Sequence, residues 1–331
     1  LCLLAMVAIL PVLDSGCTAR NEPAALVVYC GRGKDLVGPI LEEFGAVSGI
    51  PLEVRYGKTA QMAATILEES ENSPADVFIA QDAGALGVLG KKSVLAPLSD
   101  DLLERVPPRF RSPDGLWVGL SGRARVVVYH TGTLEEEDLP ETIFGFVDPK
   151  WKGRIGWAPA NGSFQAFVTA LRVYFGEDRV RAWLQGIQVN EPRIYPKNSP
   201  IVAAVGAGEV DVGFVNHYYL YRFLKERGND FGARNAFVGA SDAGTLVNVA
   251  GACTLKTSRN QSQAQALIRF LLAEDAQRYF STMTHEYPLV AGVPASLDLP
   301  PLASIPTPSI DLNELHDLEG TLRLIQELRI L

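Results

Sequence analysis

Short apolar runs followed by a turn and an amphipathic stretch recur from the start of the folded chain, and this alternation restricts the fold more than any other feature. Ala25 to Tyr29 reads as a buried strand, and Gly31-Arg32-Gly33 then leads into Leu36, Ile40, Leu41, Phe44 and Val47 at helical spacing. The unit returns as Leu52 to Tyr56 with Gln61 to Leu67, and as Val77 to Ile79 with Ala83 to Leu89. Strands alternating with helices predict an α/β class fold with a parallel sheet, whose loops at the strand carboxyl ends form ligand sites. Extended runs at Trp117 to Leu120 and Val126 to Tyr129 fit interdomain crossovers. A second α/β set follows: strand Ile155 to Trp157, helices Ser163 to Phe175 and Arg179 to Ile187, strand Arg193 to Tyr195, helix Ser199 to Ala207 and strand Asp211 to Val215. Residues from Ala243 to Leu255 are again strand-like. Gln263 to Phe280 is strongly helical, and leucines at helical spacing run from Leu312 to Leu328. A chain that leaves one α/β unit, builds another and returns predicts two lobes joined by a hinge, an architecture that closes around ligands.

The 331 residues, 47% of them hydrophobic, suffice for two domains with substantial cores. Thirty basic against 38 acidic residues give a net charge of −8 with no basic run, which argues against nucleic acid and against a polybasic membrane patch. Cys2, Cys17, Cys30 and Cys253 form no CxxC pair, and His130, His217, His285 and His316 show no helical ligand spacing. Zinc and iron–sulfur chemistry lose their support. Cys30 and Cys253 read as buried thiols, with a disulfide expected only if their strands lie side by side.

Residues 1–13, LCLLAMVAILPVL, have the length of a signal-peptide apolar core. Leu13-Asp14-Ser15-Gly16-Cys17 resembles a lipobox, in which Cys17 would carry the lipid, and a plain cleaved signal is the equal alternative. Either reading exports the protein. Thr18 to Ala25 is a polar tether.

Catalytic motifs do not complete. Gly31-Arg32-Gly33 would need a glycine at position 36 to make a dinucleotide fingerprint, and Leu36 stands there. Gly90-Lys91-Lys92-Ser93 lacks the earlier glycine of a P-loop, since residue 85 is alanine. No GxSxG elbow occurs. An enzyme is not expected.

The unusual cluster is Asn216-His217-Tyr218-Tyr219-Leu220-Tyr221-Arg222, directly after the apolar strand Val210 to Val215. Consecutive aromatics are commonly core or surface filler, but a strand-to-helix turn is where α/β folds place ligand groups. A phenol of pKa about 10 is a poor ligand until a highly charged cation such as Fe³⁺ displaces its proton.

Several motifs resemble the periplasmic ferric-iron-binding proteins of ABC importers. They are Ser73-Pro74-Ala75-Asp76-Val77-Phe78, Leu120-Ser121-Gly122-Arg123 through Tyr129, Pro149-Lys150-Trp151-Lys152-Gly153, Tyr195-Pro196-Lys197-Asn198-Ser199, Gly208-Glu209-Val210 through Tyr219, and Glu286-Tyr287-Pro288-Leu289. The resemblance spans about Leu26 to Val293 and implies a two-lobed type 2 periplasmic binding protein. Its implied division is 1–25 as signal and tether, 26–123 plus 248–299 as the N-terminal lobe, and 124–247 plus 300–331 as the C-terminal lobe. It also implies that Tyr218 and Tyr219 ligate Fe³⁺. Asn216, Asn198 and the Asn161-Gly162-Ser163 turn fall where the family holds a synergistic anion, carbonate or phosphate. The turn carries some of that meaning without analogy, because a helix N-terminus offers backbone N–H groups to an anion, although a simple cap looks the same. Arg123 fits a positive charge facing the cleft, and Arg123 and Arg125 would equally be solvated or paired with carboxylates. The implied partners are the permease and ATPase subunits of an importer, with a monomeric receptor that meets the membrane only through an anchor at Cys17.

Departures from the family pattern are specific. Gly33 stands where many members have a histidine ligand, and Gln81 where some have a glutamate. Phe164 lies near a position at which another subgroup has tyrosine. Tyr56, at the end of the second strand, offers a further phenolate, though a strand-end aromatic is the more ordinary reading. Two phenolates leave Fe³⁺ with one uncompensated charge, which one or two anions would neutralise. The alternative is an iron-free receptor for a phosphonate, phosphate ester or organic acid, built on Arg123, Ser163, Asn198 and Asn216.

Overall fold

In the computed structural model, residues 25–238, 243–305, 307 and 310–331 are described, so the leader, the Cys17 motif and most of the tether lie outside the described residues. The N-terminal half runs β1 (Leu26–Cys30), α1 (Lys34–Ser48), β2 (Leu52–Tyr56), α2 (Thr59–Glu69), β3 (Val77–Ala80), α3 (Ala83–Lys91), β4 (Leu95–Ala96) and α4 (Asp100–Leu103). After β5 (Val118–His130) come β6 (Ile155–Trp157), α5 (Gly162–Phe175), α6 (Glu177–Val189), β7 (Arg193–Ile194), α7 (Asn198–Gly206), β8 (Val212–Asn216), α8 (Tyr218–Arg227) and β9 (Ala233–Ala236). The chain closes with β10 (Val247–Leu255), α9 (Gln261–Leu271), α10 (Glu274–Met283), β11 (Tyr287–Pro288) and α11 (Leu318–Glu327).

The strand order β2-β1-β3-β10-β5-β8-β6-β7 places β5 at the junction of the two lobes, shared by both sheets. β1 pairs in parallel with β2 and β3, as the repeated strand–helix units require, and β6 pairs in parallel with β8. β10 and β5 run antiparallel and are the two returning crossovers. The two extended runs expected around Gly122 are thus one thirteen-residue strand, buried almost throughout. Its first half pairs with β10 as far as Ala124, and its second half pairs with β8 from Arg125. The change of partner falls within a single peptide step.

Each lobe has its own core. Val28, Phe78, Ile79, Leu86, Val249 and Leu267 fill the first, and Trp157, Phe164, Phe167, Trp183, Val212 and Phe214 form a largely aromatic second one. Helix α1 ends where Gly49 takes a left-handed turn (φ 68) and donates its N–H to Gly45 O at 3.1 Å, a cap that glycine adopts without penalty. The expected helix over Gln263 to Phe280 is broken, because Ala273 is extended and Glu274 opens a new helix with Asp275 in its first turn.

Residues 300–331, expected with the C-terminal lobe, touch both. A 3₁₀ turn at Leu312–His316 lies directly on α3, where a methyl group on Gly84 would sit 2.5 Å from Leu315 O, and Trp117 Nε1–H donates to Asn313 Oδ1 at 2.8 Å. Asp317 then caps α11, which packs on α5 through Thr169–Thr321 (2.7 Å) and Arg172–Asp317 (3.0 Å). Cys30 and Cys253 are unpaired thiols. β3 lies between their strands, with Cys30 opposite Ile79 and Cys253 opposite Phe78, so the two side chains leave opposite faces of the sheet and no disulfide can form.

Candidate metal and anion site

Strand β8 is buried along its whole length and delivers the chain to the interlobe cleft at Asn216. His217 turns the backbone helical, and Tyr218 and Tyr219 open α8. Their rings stack at 4.3 Å between centroids and 30° between planes. Tyr218 is buried and its hydroxyl has no hydrogen-bond partner among the described residues. An unsatisfied buried hydroxyl costs on the order of 1–3 kcal/mol, which a ligand at this position would relieve. Burial first, and then the neighbouring Tyr219, hold the Tyr218 phenol well above its ordinary pKa, against a downward pull from Arg123 and Arg32. The apo site therefore carries a phenol at neutral pH, and a cation must displace its proton.

The residues expected to hold an anion come together beside this pair. Asn161 caps α5, its Oδ1 accepting from Ser163 N–H at 3.0 Å and from the Ser163 hydroxyl at 2.6 Å. Asn198, the first residue of α7, donates to Ser163 Oγ at 3.0 Å and to Asn161 Oδ1 at 3.3 Å. A methyl group added to Gly162 would meet nothing within 4 Å, so the turn faces open space. Asn216 accepts from Arg125 Nη1 at 3.1 Å, and Ser163 Oγ lies 3.5 Å from the same nitrogen. Three helix N-termini, those of α5, α7 and α8, thus converge at the strand ends, where their backbone dipoles favour negative charge.

Arg125 is the residue that reading the sequence undervalued. It is neither solvated nor ion-paired: it is buried, lies over the Phe167 ring at 5.0 Å, and leaves Nε and Nη2 without partners. Desolvation lowers its pKa to about 9, so the guanidinium is still charged at neutral pH. Arg123 is buried too, donating to Val249 O at 3.4 Å with Nε unpartnered. Both line one cavity with Asp82, Phe167, Ser163, Asn216 and Asn248. Their i, i+2 spacing on an otherwise apolar strand was the available signal, since it puts both on one face.

The N-terminal lobe contributes differently. Gly33 caps α1 at a point where an added methyl group would sit 2.6 Å from Asp35 Oδ1, and Gln81 donates its backbone N–H to Thr59 Oγ1 at 3.0 Å. Arg32, which sequence reading did not single out, is fully buried, pairs with Glu286 at 2.6 Å, keeps Nε and Nη1 unpartnered, and exerts a direct charge effect on Tyr218. Glu286 also accepts from Ser121 at 2.5 Å. Asp82 caps α3 through Ala85 N–H at 3.3 Å, and burial raises its pKa against the pull of Arg123. Tyr56 lies against α1, its hydroxyl 3.6 Å from where a Gly38 methyl group would be, and burial pushes its pKa to about 12. Phe164 faces the core, edge-on to Trp157 at 5.7 Å. Among the described residues no cluster of three or more His, Cys, Asp or Glu could hold a metal ion, and no helix is long and apolar enough to cross a membrane.

A two-lobed sheet with a polar, cationic cleft is a geometry that encloses a ligand. Residues 72–313 match the family model described as bacterial extracellular solute-binding protein. The chain belongs to that family. Among curated solute-binding proteins, the major ferric iron-binding protein of Neisseria meningitidis serogroup B is 35% identical over 95% of this chain and 96% of its own length. The Fe(3+)-binding periplasmic protein of Serratia marcescens is 30% identical over 92% and 90%. Among solved structures, iron-bound HitA from Pseudomonas aeruginosa superposes with a TM-score of 0.88 at 33% identity, covering 92% of this chain and 99% of its own. The two-lobed type 2 periplasmic binding fold expected from the sequence is therefore the fold observed.

Proposed function

We propose that this solute-binding protein captures ferric iron in the interlobe cleft, with Tyr218 and Tyr219 as phenolate ligands and a synergistic anion held by Asn161, Gly162, Ser163, Asn198 and Asn216. The observation that carries the reading is the stacked tyrosine pair, one hydroxyl of which is buried and unpartnered, at a convergence of three helix N-termini. Fe³⁺ with two phenolates keeps one positive charge, and Arg125 adds another, so a carbonate or phosphate anion would neutralise the closed site. Arg125 presents Nε and Nη2, the pair that binds a carboxylate or carbonate edge bidentately. The iron-bound HitA relative and a Trichodesmium relative whose solved structure holds iron and citrate, 29% identical at a TM-score of 0.81, support both halves of the reading. Gln81 and Tyr56 are the weaker metal candidates and Arg123 an auxiliary cation. Closure of the lobes would then present the loaded receptor to an importer's permease and ATPase. We further propose export to the periplasm, with anchoring through Cys17, and a monomeric receptor.

The test is equilibrium dialysis of iron-stripped protein against ferric citrate, with and without bicarbonate or phosphate, counting metal per chain. One iron per chain, held more tightly with the anion, is expected. Folded protein that retains anion and no iron would transfer the site to the small-anion receptor, which the unpartnered nitrogens of Arg125 would equally serve.

A further inference from the structure

The edge of β5 that faces β8 is built from three sources. β11 pairs with it at Ser121 and Gly122, and β8 pairs from Arg125 onward. Ala124 lies between them, at the step where the strand passes from one lobe to the other. Both of its backbone groups are taken by one residue: His217 N–H donates to Ala124 O at 3.0 Å, and Ala124 N–H donates to His217 Nδ1 at 3.1 Å. His217 is helical (φ −55, ψ −40), so its own carbonyl has turned away to accept from Asn235 Nδ2 at 2.9 Å. The imidazole replaces that carbonyl in the ladder. On its far side Nε2–H donates to His285 O at 2.7 Å, in the N-terminal lobe between α10 and β11. Two bonds with opposite demands fix the neutral Nε2–H tautomer. The ring is completely buried, packed on Tyr287 at 4.9 Å and edge-on to Tyr218 at 5.8 Å.

We propose that His217 is a hinge pin: its imidazole splices the β-edges of the two lobes and holds the Tyr218–Tyr219 turn on the axis about which they rotate. A separate contact supports this. One turn further along α8, Tyr221 donates its hydroxyl to Asp298 O at 2.9 Å and stacks on His285 at 5.0 Å and 22°. The first turn of α8, although continuous with the C-terminal sheet, is thereby tied to the N-terminal lobe twice. His285 is held in a left-handed conformation (φ 53) while it supplies the carbonyl, a strain on the order of 1–3 kcal/mol that the surrounding contacts must sustain. Groups on a rotation axis move least. The pair would therefore stay assembled in the open receptor, where capture takes place. That consequence rests on the iron reading above, whereas the splice itself does not.

His217→Phe keeps an aromatic ring, somewhat larger than the imidazole, and removes both ring bonds, and His217→Asn keeps an acceptor for Ala124 N–H but cannot reach His285. In iron-free protein, hydrogen exchange over 118–130 and 284–290 is expected to rise at least tenfold in His217→Phe, with a larger radius of gyration in solution scattering. In His217→Asn only the second segment should change. In iron-loaded protein, His217→Phe should shift the phenolate-to-iron absorption band and release iron to a chelator at least tenfold faster, with His217→Asn between it and the parent. Exchange and scattering equal to the parent in His217→Phe would overturn the pin. Raised exchange with an unmoved band and unchanged release would overturn the positioning role. Should His217→Phe fail to fold, unchanged exchange over 284–290 in His217→Asn overturns the proposal. A parent that binds no iron defeats the iron reading alone, since exchange and scattering of iron-free protein still decide the splice.

Discussion

The two walls of the cleft are built for different tasks. On the C-terminal side, Asn161, Ser163 and Asn198 bond to one another, Asn216 bonds Arg125 and Tyr218 stacks on Tyr219, so the groups at three helix starts are arranged before any ligand arrives. On the N-terminal side stand Gly33, Gln81, the buried Arg32–Glu286 pair and Asp82, which are neutral, already paired or committed to a cap. Preorganised groups bind with less ordering cost than groups that must be gathered. On the proposed iron reading, the C-terminal lobe would capture the ligand and the N-terminal lobe would close over it, supplying charge and shape rather than strong metal ligands.

The largest break in that contrast is the double change Tyr218→Phe and Tyr219→Phe. It keeps ring volume and stacking while removing both oxygens. We expect iron affinity to fall by more than about 100-fold, since loss of a single outer-shell partner typically costs 10–100-fold, with folding intact by circular dichroism. Competition with citrate measures it. Acidification acts on the same residue. Because the Tyr218 phenol is held above its ordinary pKa, it is protonated in the apo protein throughout the neutral range and must lose that proton to bind. Affinity should weaken by at least roughly tenfold for each pH unit lowered, a slope that competition titrations at several pH values would read. A flat profile between neutral and mildly acidic pH would remove the phenolate from the site.

Arg125→Gln sharpens the contrast within the C-terminal wall. It should abolish the advantage given by bicarbonate or phosphate and lower iron affinity by roughly 10–100-fold, as expected of an outer-shell group. Asn161→Ala removes a helix cap and the acceptor that orients Ser163. It should cost about 1 kcal/mol of stability, seen as a fall of a few degrees in melting temperature. Gln81→Ala, on the other wall, should change iron affinity less than about threefold, within the range of small surface effects. A loss as large as that from Arg125→Gln would mean that the N-terminal wall supplies a real ligand.

Much of the fold was legible because it rests on local patterns. β1 and β2 begin and end within a residue of the apolar runs that predicted them, and the parallel pairing followed from strand–helix alternation. What was not legible depends on distant partners. The break at Ala273 interrupts a stretch that reads as strongly helical, and the 3₁₀ turn at Leu312–His316 interrupts one whose leucine spacing is helical; the second is set by the close approach of its backbone to Gly84 and Gly87. The same division holds at the site. The tyrosine pair and the Asn161-Gly162-Ser163 turn are contiguous in sequence and announced themselves. Arg125 and Arg32 did not, because a buried guanidinium looks like any surface arginine until the strands around it are placed, and the carboxylate that pairs with Arg32 lies 254 residues away at Glu286. Arg123 was named for the cationic role, yet Arg125 is the one that bonds Asn216 and faces Ser163.

The central claim, that two phenolates of the C-terminal wall hold ferric iron with help from an anion, is tested most directly by visible absorption of the iron-stripped protein titrated with ferric citrate, with and without bicarbonate. The account predicts a phenolate-to-iron charge-transfer band that saturates at one iron per chain, intensifies with the anion and is absent from the Tyr218/Tyr219 double phenylalanine variant. An equal band in that variant, or none in the folded parent protein, would contradict it.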